Sequence, residues 1–122
     1  MWEKEEKETL IKKEEKRLKR IYKDIEKGKK STIEGLIQRA AFMRVSLAEL
    51  EEDLNLYGFT EKFSQGNQEP YDRKRPNADL YNSMNTSYQK IIKQLTDLLP
   101  KSIAKTAETD VFEEFVFSRN EI

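Results

Sequence analysis

A chain of 122 residues fits a single domain, and this one has no His and no Cys, which removes the commonest general base, the preferred zinc ligands, the thiol nucleophile and any disulfide. Charged residues make up 38% of it and hydrophobic ones 36%, a balance rich in charge and lean in core, so long charged helices or an oligomer are expected. The net charge is zero but uneven: residues 1–30 hold twelve Lys/Arg and eight Asp/Glu, residues 31–122 eleven and fifteen, which points to an anionic partner for the front end.

Residues 2–27 read as a charged helix. They lack Gly and Pro and are dominated by Lys and Glu, which favour helix. Its apolar stripe is thin: Ile11, Leu18, Ile21, Tyr22 and Ile25. Ile11, Leu18 and Ile25 recur every seven residues with Ile21 at a d position, but position 14, also a d, is Glu. That seam is too short for a coiled coil. Gly28 is the expected cap. Residues 32–57 read as a second helix, with Ser31 as N-cap and Glu34 closing a capping box. Its stripe runs Ile33, Leu36, Ile37, Ala40, Met43, Leu47, Leu50, Leu54 and Tyr57. A second capping-box match at 46–49 marks a place where the helix would break, but the unbroken stripe favours one helix ending at Gly58.

Residues 58–76 are polar and turn-rich, with Gly66, Pro70 and Pro76. Some order is expected there, such as a short irregular hairpin, because nineteen structureless residues are unusual inside a domain. Residues 78–99 read as a third helix, capped by Asn77 and stopped by Pro100, with a stripe of Leu80, Tyr81, Met84, Tyr88, Ile91, Ile92, Leu95, Leu98 and Leu99. Two amphipathic helices of similar length across a short linker predict an antiparallel hairpin, each stripe covering the other. Residues 101–122 are acidic and aromatic.

Four groups of residues bear on function. Lys12, Lys13, Lys16, Arg17, Lys19, Arg20, Lys23, Lys27, Lys29 and Lys30 form a basic set that suits sequence-independent, salt-sensitive binding of a polyanion; the plainer alternative is a solvated helix face. Residues 72–75, Asp-Arg-Lys-Arg, are a second basic cluster, or an ordinary polar loop. Glu49, Glu51, Glu52 and Asp53 lack an assisting His and a second carboxylate cluster, so they read as a solvated acidic face and not as a metal site. Phe112, Phe115 and Phe117 suit a protein contact, either with another protein or with the chain's own helices. Four scattered glycines make no phosphate loop. The sequence therefore predicts no enzyme, no cofactor, no metal and no small-molecule substrate. The start, MWEKE, shows no signal-peptide pattern, and no apolar run approaches the ~18 residues of a membrane span.

Two stretches, LIQRAAFMRVSLAELEEDLNLY (36–57) and PNADLYNSMNTSYQKIIKQLTDLLP (76–100), together resemble the small subunit of phage terminases, in the short form found in phages and prophages of Gram-positive bacteria. The resemblance implies a non-catalytic DNA-packaging protein in the cytoplasm of a bacterial host. It implies a homo-oligomeric ring that binds double-stranded viral DNA and recruits the large terminase subunit, the ATPase and nuclease. Many relatives read DNA with an N-terminal helix-turn-helix; here residues 1–30 show one charged helix instead.

The expected architecture is all-α: an antiparallel hairpin of two long helices with an N-terminal charged helix, assembling into a ring. Residues 1–30 form the DNA-contacting segment, 31–100 the oligomerisation hairpin, and 101–122 the acidic-aromatic tail that binds a partner through Phe112, Phe115 and Phe117. The hairpin's core and subunit contacts are assigned to Leu36, Ile37, Met43, Leu47, Leu50, Leu54, Leu80, Met84, Tyr88, Ile91, Leu95 and Leu98. The rival expectation is a helical coiled-coil scaffold or regulatory protein that binds only other proteins.

Overall fold

A computed structural model gives the fold and describes residues 1–25 and 29–99. In chain order it has α1 (Lys4–Ile21), α2 (Lys30–Tyr57), β1 (Thr60–Phe63), β2 (Tyr71–Lys74) and α3 (Pro76–Asp97). The described residues are mostly helical, with one small sheet added to the all-α expectation.

α2 is the central element. At 1.5 Å per residue its 28 residues span roughly 42 Å. Residues 45–50 are buried without interruption, which a helix achieves only when covered on more than one side; here α1 and α3 both pack on it. The helix does not break at Ser46, which lies buried inside it. It begins earlier than its capping box predicts: Lys29 is the N-cap without a side-chain hydrogen bond, and Ser31 already lies within the helix, exposed. Its other end matches the sequence. Gly58 adopts φ +79°, a conformation favouring glycine, and its N–H donates to the Leu54 carbonyl at 2.8 Å.

α1 stops at Ile21, six residues short of the expected end, and Gly28 lies outside the described residues. The reason is packing. Tyr22 and Ile25 leave the helix in a turn and join a core with Leu18, Ile33, Ile37, Ala40, Leu95 and Leu99. The Tyr22 hydroxyl lies 3.2 Å from Thr96 Oγ1, tying this turn to α3.

Contacts between α2 and α3 run in opposite senses along the two helices. Asp53 accepts hydrogen bonds from Arg75 and Asn77, Glu51 accepts one from the Tyr81 hydroxyl at 2.9 Å, and the Arg44 guanidinium lies 5.8 Å from the Tyr88 ring. Ile33 and Ile37 then meet Leu95 and Leu99 in the common core. α3 starts two residues before its expected first turn. Pro76 takes a position whose missing N–H costs nothing, Arg75 is the N-cap, and Asn77 bonds across to Asp53 rather than capping.

The turn-rich linker is a β hairpin, with β1 and β2 antiparallel and Phe63 opposite Tyr71. Those rings meet edge-on with centroids 5.9 Å apart, and the Arg73 guanidinium sits 3.6 Å from the Phe63 ring centre. Gly66, φ +62°, turns the connection. Arg75 N–H returns to the Phe59 carbonyl at 2.9 Å, closing the hairpin's base.

Candidate nucleic-acid interface

Five cations of α1 lie on its solvent side. Lys12, Lys13, Lys16, Lys19 and Arg20 are all exposed, and at 100° per residue they span about 120° of the helix surface. The opposite side, with Leu18 fully buried and Ile11 partly so, faces the core. Lys23 continues the set into the turn, and Lys29 and Lys30 flank the start of α2, all exposed. Lys27 lies outside the described residues. The structure brings Lys19, Lys23 and Lys30 from three parts of the chain to the rim of one cleft of about 320 Å³. Tyr22, Ile25, Ile33 and Ile37 form its apolar lining and Glu34 joins the rim. Glu34 lies 3.7 Å from Lys19, both more than half exposed, so that pair contributes little and competes weakly with a stronger anion.

Arg17 corrects the expected basic set. It is buried, and its guanidinium is gripped by both carboxylate oxygens of Glu14, itself buried. A carboxylate removed from water must be paired, and Glu14 occupies the inward d position that interrupts the seam. Arg17, one turn on, is drawn inward to neutralise it. Arg44 and Tyr88 lie close to this pair. Burial first, and then the nearby negative charge of Glu14, push the Tyr88 hydroxyl above its ordinary range, against an opposing effect of Arg44. The phenol therefore stays neutral in a polar cluster among the three helices.

The competing basic cluster is largely neutralised. Arg73 pairs with Glu61 at 2.8 Å, Lys74 with Asp79 at 3.1 Å, and Asp72 with Lys62 at 3.0 Å. Arg75 spans Asp53 and the Gly58 carbonyl, each at 2.8 Å. The acidic run of α2 is likewise engaged, in two directions. Glu49 accepts from the Trp2 backbone N–H and from Lys7, and Glu52 from the Trp2 indole at 2.7 Å, which fixes the start of α1. Glu51 and Asp53 turn to α3. The Asn77 amide, and after it the Arg75 guanidinium, hold the Asp53 carboxyl below its ordinary range against the opposing effect of its partial burial. Among the described residues no group of three or more His, Cys, Asp or Glu is placed to hold a metal ion, and no helix is long and apolar enough to cross a membrane.

Of the residues assigned to the hairpin core, Ile37, Leu47, Leu50, Leu54, Tyr88 and Leu95 are buried, while Leu36, Met43, Met84, Ile91 and Leu98 are half-buried. Leu80, assigned to the core or to subunit contacts, is no core residue within one chain: it is 49% exposed, because Ala78 and Tyr81 take the inward side of the first turn of α3. Tyr57, last in the α2 stripe, is also exposed, under the Arg75 guanidinium. Phe112, Phe115 and Phe117 lie outside the described residues. Sequence periodicity missed the anchoring role of Trp2 and the exposure of Phe42, Leu56, Phe59 and Tyr71. Phe42 and Leu56 fall off the α2 stripe, which was the available signal.

Compared with protein-family models, curated proteins and solved structures, the chain matches none.

Proposed function

We propose that this chain is a non-enzymatic small terminase subunit. In this role α2 and α3 form the antiparallel hairpin of a ring, and the exposed cations of α1 contact double-stranded viral DNA. The large terminase is recruited by the acidic-aromatic tail. One observation carries the DNA contact: Lys12, Lys13, Lys16, Lys19 and Arg20 share the solvent side of α1, and Lys19 meets Lys23 and Lys30 at one cleft. A ring would gather many copies of this face at one rim, so contacts weak in one subunit add through avidity. The oligomer draws support from the lean composition and from the exposed Leu56, Phe59, Tyr71 and Leu80, side chains that suit a protein contact.

Such binding falls steeply with salt, because each neutralised phosphate releases counterions, and shows little base preference, because phosphate contacts position without specifying. The test is duplex DNA mobility at low and moderate salt. Lys16→Glu, Lys19→Glu and Arg20→Glu together should abolish the shift while helix content survives. Arg17 is left intact, since its substitution would disturb the core. Unchanged binding by that variant would remove α1 as the DNA face.

The same exposed apolar side chains favour a second function, a scaffold that binds only proteins. Its coiled-coil version is disfavoured, because Leu18 and Ile25 of the heptad seam are buried within the single chain. Absence of any DNA shift at low salt would make the protein-only scaffold the better assignment.

A further inference from the structure

The β hairpin is sparsely covered. All four residues of β2 are exposed, as are Thr60 and Lys62 of β1. A two-stranded ribbon standing by itself is marginal in water and gains from a further strand. Its hydrogen-bonding phase is fixed at the base, where the Arg75 N–H donates to the Phe59 carbonyl in register with the Thr60–Lys74 pairing. Antiparallel pairs alternate between hydrogen-bonded and non-bonded. The backbone groups of Glu61, Phe63, Tyr71 and Arg73 therefore point into the ribbon. Those of Thr60, Lys62, Asp72 and Lys74 point out along its two edges. Among the described residues, none outside the hairpin hydrogen-bonds to these outward groups.

Charged side chains on short edge strands discourage indiscriminate pairing, so an added strand must answer each charge. Within the ribbon the cross-strand pairs are already matched. Glu61 faces Arg73, Lys62 faces Asp72 and Phe63 faces Tyr71, with ion pairs of 2.8 and 3.0 Å in the first two. When the β1 edge of a second copy lies antiparallel along the β2 edge in this same register, those matches repeat between copies. Thr60 and Lys62 of one copy then exchange backbone hydrogen bonds with Lys74 and Asp72 of the other. A two-fold contact of β2 on β2 can match Asp72 with Lys74 only by setting Arg73 directly against Arg73, and like charges there are unfavourable. The head-to-tail contact leaves one free edge of each kind, so it propagates and can close into a ring. Strand twist turns each added hairpin by roughly 40–50°, so the helices, which leave the same end of every hairpin, fan apart.

We propose that the β1 edge of one copy pairs in this register with the β2 edge of the next, making the hairpin a head-to-tail contact between subunits. This contact rests on the homo-oligomer of the proposed function and not on DNA binding.

Amide exchange on the full chain reads the outward edges directly. Amides of Lys62, Asp72 and Lys74 should exchange faster than those of Glu61 and Arg73 in dilute protein, and should slow several-fold when the protein is concentrated. The chain's lack of cysteine permits a second reading. Glu61 and Arg73 form a non-bonded pair between copies, which brings Cα atoms to about 4.5 Å, within disulfide reach. Chains carrying Glu61→Cys, mixed dilute with chains carrying Arg73→Cys and then concentrated, should form a disulfide-linked dimer under mild oxidation. Neither variant should do so alone. Dimerisation of Arg73→Cys alone would show the two-fold contact and overturn the proposal. So would edge amides whose exchange ignores concentration, or edge protection without the mixed disulfide. A closed oligomer with unprotected edges would remove this contact and leave the ring. Paired edges without any DNA shift would remove the DNA face and leave this contact.

Discussion

The two ends of the molecule are held by different physics. At one end Leu18, Tyr22, Ile25, Ile33, Ile37, Leu95 and Leu99 from all three helices and the turn after α1 form a continuous apolar core. At the other, where the β hairpin joins α2 to α3, Leu54 and Ala78 are the buried apolar residues among the described residues 52–80, while Leu56, Phe59, Tyr71 and Leu80 stay exposed. There the joint is polar: Arg75 and Asn77 converge on Asp53, and Tyr81 on Glu51. The first end gains from surface removed from water. The second depends on geometry and charge state, and leaves apolar side chains exposed.

The largest expected effect tests the apolar end. Leu95 is fully buried, so Leu95→Ala should cost about 2–5 kcal/mol in chemical denaturation. The same change at exposed Leu80 should stay within about 0.5 kcal/mol. Similar losses at both sites would erase the contrast. Between the ends lies the buried Glu14–Arg17 pair. Glu14→Ala removes the buried carboxylate that grips the Arg17 guanidinium and should cost about 3 kcal/mol, whereas Glu14→Leu with Arg17→Met should recover most of it. A single variant as stable as the parent would place Arg17 back on the surface.

A smaller effect, set by pH, sharpens the polar end. The carboxyl of Asp53 is held below its ordinary range in the folded chain. Its contribution is therefore complete above the ordinary aspartate value, about 3.9, and is lost as pH falls from there through the lower folded value. Amide exchange across residues 60–74 should speed up in that acid window before the apolar core opens, and Asp53→Asn should flatten the response. Simultaneous opening of both ends would argue against two separately held regions.

Much of this contrast was legible in the residues. The stripes of α2 and α3 named Ile37, Leu47, Leu50, Leu54, Tyr88 and Leu95 as inward, and an unbroken α2 ending at Gly58 follows from that stripe and one glycine. What escaped is where a local signal met a tertiary one. The capping box at Ser31 yielded to an earlier helix start, and Asn77 gave up capping for a bond to Asp53 twenty-four residues away in sequence. The end of α1 was misplaced because Tyr22 and Ile25 fit a helical period equally well as members of a helix or as inward residues of a turn. The basic set was legible as a list, but its geometry was not. Glu14 at an inward position was the clue that Arg17 would be buried, and only the fold brings Lys30 to the cleft beside Lys19 and Lys23. The polar joint left no trace in periodicity, since long-range hydrogen bonds have none.

The proposed packaging role requires many copies of the α1 cations on one assembly, so the state of assembly is its most direct test. Native mass spectrometry of the full chain at low salt should give a single closed oligomer of defined subunit number. Leu80→Asp, which alters an exposed side chain of the polar end, should weaken that oligomer without unfolding the chain. A monomer across the accessible concentration range would contradict the ring and, with it, the small terminase assignment.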